Sequence, residues 1–253
     1  MASEMTLHEY KQLSFKKPMV IVGFPSAGLV SSIAANFVVR TLKLEKIATI
    51  LHPEFPPYAL VHEGEISPPV RIYAGSRVCD GTGEECEQLI VITTEFMPAP
   101  HLLRPLSDAI IEYCRRNDVN TIVALEGMNV GENPEKREVL AIATGERCRR
   151  MLEKYGMKEL KEGMVSGISG VLLYDADRLG LDLICLLGPA RMDYPDARGA
   201  ARLIENVAKM LPELKLDPEP LFKEAEQIEK DMRAAVEGLR QAQRPSEESV
   251  IYS

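Results

Sequence analysis

Few stretches of this chain have the residue types and spacing that chemistry needs, and each lacks a required part. Gly23-Phe24-Pro25-Ser26-Ala27-Gly28 has the outer glycines of a phosphate-binding loop, but Leu29 stands where the lysine belongs. Gly167-Ile168-Ser169-Gly170-Val171 approaches a nucleophile elbow, yet Val171 replaces its last glycine. All four histidines, His8, His52, His62 and His101, precede Ser169, so the usual serine, acid, histidine order cannot be built. The carboxylate pairs Asp175 with Asp177 and Asp193 with Asp196 suit acid–base work, but loops and helix N-termini use such pairs routinely. No two histidines lie three to five residues apart, and Cys79 and Cys86 are too widely spaced for a close zinc pair. The residues therefore predict no catalytic set, no metal and no cofactor. A small-molecule enzyme holding a nucleoside or phosphate near Gly23 to Gly28 is the alternative.

The elements that position these residues alternate between strand and helix. Met19 to Val22 is a short apolar run ending at Gly23, the pattern of a buried strand, and a helix from about Leu29 to Leu42 follows. Ile47 to Leu51, Arg71 to Ala74, Leu89 to Thr93, Thr121 to Leu125 and Leu181 to Leu187 read as further strands. Leu103, Leu106, Ile110 and Tyr113 recur at helical spacing, as do Ala197, Ala200, Ile204, Val207 and Leu211. Gly145 to Tyr155 and part of Ser169 to Leu179 also read as helical. The alternation predicts an α/β domain over residues 1–216, its mainly parallel sheet lying between helices. Prolines at 53–57 and 68–69 predict irregular excursions or edge pairing on one side.

Composition narrows the function. The 253 residues carry a formal net charge of -8, which argues against a nucleic-acid partner or an anionic membrane surface. Five cysteines, an odd number at low density, suit reduced thiols in a cytoplasmic protein. Met1 to Lys17 lacks the apolar stretch of a signal peptide, and no later run is long enough to span a bilayer.

The C-terminal region changes character. Asp217 and Pro218 supply an N-cap and a first-turn proline for a helix over 217–243. On it Leu221, Ala225, Ile228, Met232, Ala235 and Leu239 step by four and three, a heptad seam that packs either on its own domain or on a second subunit. Residues 244–253 form a polar, flexible tail finishing Val250-Ile251-Tyr252-Ser253.

In this order, Gly23 to Val30, Glu126-Gly127-Met128, Gly167 to Leu173, and Asp193-Tyr194-Pro195-Asp196 running on to Ala201 resemble the proteasome-assembly-chaperone family, in particular its archaeal members. The resemblance extends from about Pro18 to Leu211. It implies a nucleoside-phosphorylase-like α/β fold without catalytic equipment, homo-oligomers, and ATP-independent work on proteasome particles. Ile251-Tyr252-Ser253 likewise resembles the hydrophobic, tyrosine, any-residue ending by which proteasome activators dock between subunits of the core particle's outer ring. With eight tyrosines and 45% hydrophobic residues, chance produces such an ending roughly 1 to 2 times in 100. The expectation is a core-particle activator or assembly chaperone. An oligomeric scaffold with an accidental ending is the remaining alternative.

Overall fold

The computed structural model describes residues 5–62, 64–75, 88–131, 137–192 and 195–226. A nine-stranded sheet runs through the molecule. Its centre is parallel: β7 (Leu89–Thr93), β2 (Met19–Gly23), β8 (Thr121–Asn129) and β11 (Leu183–Ala190) lie side by side in that order. β2 and β7 are buried along their whole length, which is why both read as continuous apolar runs without alternation.

Both flanks turn antiparallel. On one side β6 (Val70–Gly75), β3 (Glu45–Leu51) and β1 (Thr6–Glu9) continue the sheet. On the other, β9 (Leu140–Ala143) pairs antiparallel with β11 and carries the two-residue β10 (Lys158–Glu159). The expected parallel core is thus present, and the proline-rich segments lie on the antiparallel side. Between Leu51 and Val70 the chain makes a separate hairpin of β4 (Leu60–His62) and β5 (Glu65–Ser67).

Helices cover both faces. α1 (Val30–Thr41) and α5 (Ala197–Met210) pack together on one face, and α3 (Gly145–Lys154) joins the same core through Cys148 and Leu152. α2 (Pro100–Arg116) and α4 (Gly167–Leu179) pack together on the other. They are clamped by Asp175, whose fully buried carboxylate accepts from Arg104 at 2.6 Å, Ser107 at 3.3 Å and Arg178 at 3.4 Å.

Residues 219–226 are helical. The Asp217 carboxylate accepts the Glu219 N–H at 3.0 Å, the predicted cap. Leu221, 1% exposed, belongs to the core under α1 and α5, and Ala225 is 5% exposed. These two positions of the heptad pattern are buried within their own subunit. Ile228, Met232, Ala235 and Leu239 lie outside the described residues. No helix among the described residues is long and apolar enough to cross a membrane.

Candidate functional site

In open α/β sheets, ligands bind beyond the carboxyl ends of the parallel strands, where neighbouring strands send their helices to opposite faces. Here that point lies between β2, which leads to α1, and β7, which leads to α2. Described residues of the motif segments meet beside it, at the carboxyl ends of β2, β8 and β11, and pack on one another.

The loop after β2 is stitched shut. Ser31 donates its hydroxyl proton to the Phe24 carbonyl, so in the short Ser26–Ser31 contact Ser26 must be the donor. The Ser26 oxygen in turn accepts the Gly127 N–H at 2.9 Å. Ser26 thus donates to Ser31 and accepts from Gly127, which ties the loop to β8. Gly28 and Leu29 both take left-handed backbone angles, with φ of 60° and 54°. Leu29, in the position a phosphate loop gives to lysine, is 40% exposed and offers no charge.

The glycines serve close approach. A Cβ on Gly127 would sit 2.3 Å from the Ala27 carbonyl oxygen, and one on Gly28 would sit 2.5 Å from that of Arg191. A Cβ on Gly23 would come within 2.4 Å of the Ala35 Cβ, since α1 lies directly on the strand. Each of these close backbone approaches admits only glycine.

Asp196 is consumed in the same way. Its carboxylate accepts the N–H groups of Gly199 at 2.9 Å and Arg191 at 3.0 Å, capping α5, and its own N–H donates to the Gly28 carbonyl at 2.8 Å. Asp193 and Tyr194 lie outside the described residues.

One group at this edge has an unusual protonation state. Burial pushes the Glu126 carboxyl up to about 7, against the opposing pull of hydrogen bonds with Ser169 and the Gly127 N–H. Ser169, near the start of α4, is 1% exposed and partners this carboxyl rather than a histidine. The pair ties β8 to the start of α4. Sequence reasoning included Glu126 only in a motif, because nothing in its neighbours along the chain announces burial.

Elsewhere the chemistry is also structural. Arg71, 4% exposed, reaches from β6 to Glu95 beyond β7 in a two-pronged ion pair, one arm at 2.7 Å. Burial raises the thiols of Cys114 and Cys148 to about 12, so they stay protonated. Among the described residues, no group of three or more His, Cys, Asp or Glu is placed to hold a metal. Cys79 and Cys86, and the docking residues Ile251, Tyr252 and Ser253, lie outside the described residues.

Fold and edge together define an α/β protein whose loops pack closely on one another at the carboxyl ends of β2, β8 and β11. The chain belongs to the PAC2 family, whose model matches residues 20–236. It is similar to PbaA of Pyrococcus furiosus, described as an archaeal homolog of proteasome-assembly chaperone, with 33% identity, a TM-score of 0.83 and 95% of each chain covered. PbaB of the same organism, described as an archaeal proteasome activator, shares the fold with a TM-score of 0.78 at 24% identity, covering 92% of this chain and 98% of its own. An uncharacterized protein of Methanocaldococcus jannaschii is 29% identical over 237 residues, 94% of this chain and 93% of the relative.

Proposed function

We propose that this chain is a proteasome-binding protein, not an enzyme, which acts without ATP as a core-particle activator or as an assembly chaperone. The observation that carries the reading is the likeness to PbaA over 95% of both chains at 33% identity. The close packing of the Gly23–Gly28 loop on Gly127 and Arg191, with Leu29 where a phosphate loop has lysine, supports it.

The docking element in this reading is Ile251-Tyr252-Ser253. Ile251 contributes apolar area, Tyr252 a rigid ring with a polar tip, and a terminal carboxylate on Ser253 an anion for a lysine or backbone donors of the outer ring. One such segment binds weakly, because ordering it offsets much of its contact energy. Several presented by one homo-oligomer gain roughly 10²- to 10⁴-fold in avidity where their spacing suits the ring.

The test compares a protein ending at Ser253 with one ending at Ser249, each offered to archaeal core particles in a pull-down. The longer protein is expected to capture them and the shorter to fail. Tyr252→Ala is expected to abolish stimulation of short-peptide hydrolysis, with ATP making no difference. Equal capture by both proteins would refute the tail as the docking element. Failure of the longer protein to capture core particles would refute the activator reading and move assembly chaperoning or the small-molecule reading ahead.

A further inference from the structure

A cavity of about 250 Å³ lies at the opposite end of the sheet from the motif segments, where β8 and β11 begin. Its walls are the last turn of α2 with the residues that follow it (Cys114, Arg115, Asp118 and Val119), Ile122 at the start of β8, and Leu181 with Asp182 between α4 and β11. Val119, Ile122 and Leu181 give it an apolar lining. The backbone around it is already hydrogen-bonded: the Val119 N–H donates to the Cys114 carbonyl at 3.0 Å, the Leu181 N–H to that of Ala176 at 2.8 Å and the Ile122 N–H to that of Asp182 at 2.9 Å. Polar recognition in this cavity therefore falls to side chains.

Two of those side chains carry opposite charges that the fold leaves unused. Asp182 is spent, one carboxylate oxygen accepting from Arg147 Nε at 2.7 Å and the other from the Cys148 thiol at 3.5 Å. Arg115 and Asp118 are exposed, and neither makes a side-chain hydrogen bond or ion pair among the described residues. Asp118 follows the end of α2 with a left-handed φ of 49°, off the helical path on which an arginine and an acid three residues apart would meet. Both α2 and α4 end at this level, so their carbonyl ends favour a positive group beside Asp118.

We propose that this cavity binds a free amino acid with an aliphatic side chain. The ligand's side chain packs on Val119, Ile122 and Leu181, its ammonium pairs with Asp118 and its carboxylate with Arg115. An apolar lining calls for an apolar body, and two unpaired charges of opposite sign call for a zwitterion rather than a simple anion or cation. The volume lies just below the roughly 300–1,000 Å³ of pockets that hold drug-sized ligands, which suits a molecule of leucine's size. The site uses neither the C-terminal segment nor the carboxyl edge of the sheet, so it stands apart from the proteasome reading.

The experiment titrates the full chain with L-leucine, with leucinamide, which lacks the carboxylate, and with isocaproate, which lacks the ammonium, and reads binding by calorimetry and by melting temperature. Leucine is expected to bind with a dissociation constant of about 1 mM or below, and each of the other two at least about tenfold more weakly. Arg115→Gln should erase the preference for leucine over leucinamide, and Asp118→Asn the preference over isocaproate. Both variants should keep the parent's circular dichroism, because the two side chains are exposed. Leucine that neither gives a binding heat nor raises the melting temperature at about 20 mM would overturn the proposal. So would leucinamide binding as tightly as leucine, or an affinity for leucine that neither substitution changes. The protein ending at Ser249 is expected to bind leucine as the full chain does, so failure of the cavity and failure of the tail are told apart.

Discussion

Replacing Glu126 by glutamine isolates the cost of one buried carboxyl. Burial raises this group from 4.5 to about 7, and at ~1.4 kcal/mol per pH unit the rise corresponds to roughly 3 kcal/mol. Its sign follows from proton binding. The folded state holds the proton more tightly than the unfolded state, so Glu126 costs nothing below about pH 4.5. Stability then falls as pH rises through the interval to about 7, and the loss is complete above it. Glutamine keeps the shape and the capacity to hydrogen bond Ser169, and it cannot ionise. Glu126→Gln is therefore expected to be more stable than the parent by up to about 3 kcal/mol at pH 8.5, and by about 1 kcal/mol at pH 5. For a chain of this length, the difference at pH 8.5 amounts to about 6–12 °C in melting temperature. Scanning calorimetry of both proteins at the two pH values reads it directly. A melting-temperature difference that stays constant between pH 5 and 8.5 would show that Glu126 does not change protonation in this interval, and the burial argument would fall.

Gly127→Ala is expected to destabilise the fold by about 3 kcal/mol in urea titration, because the new methyl meets the Ala27 carbonyl at 2.3 Å and the Ser26 hydroxyl at 2.9 Å. Asp175→Ala should cost about 2 kcal/mol, less than most broken buried ion pairs, because Arg104 and Arg178 are each about half exposed and regain water; 1 M salt should leave the loss nearly unchanged.

Much of the core was legible because burial and local rules agreed there. Leu89–Thr93 has the strand bounds that its apolar run predicts, and α5 follows from the spacing of Ala197, Ala200, Ile204 and Val207 together with the cap at Asp196. What escaped depends on partners distant in sequence. β1 is mostly exposed and exists because Thr6–Glu9 pairs with Ala48–Leu51, and β9 because Leu140–Ala143 pairs with β11. Neither carries a periodic signal of its own. The β4–β5 hairpin was hidden for a different reason: with its apolar pair facing outward, alternation within the strands does not reveal which side meets the body. At the carboxyl edge the glycines signalled a tight turn, but the partners they make room for, Ala27 for Gly127 and Arg191 for Gly28, emerge only with the tertiary fold.

A crevice that binds and turns over a ligand needs unfilled volume and polar groups with hydrogen-bonding capacity to spare. At the carboxyl edge Ser26, Ser31, Ser169 and Asp196 have spent theirs on one another and on the backbone, so substitutions there should act on stability. Glu126→Gln and Gly127→Ala are therefore expected to move melting temperature while leaving capture of core particles unchanged wherever the protein is folded. A ligand-turnover function centred on the carboxyl edge predicts no such division, because the residues that hold that edge together would then also set activity.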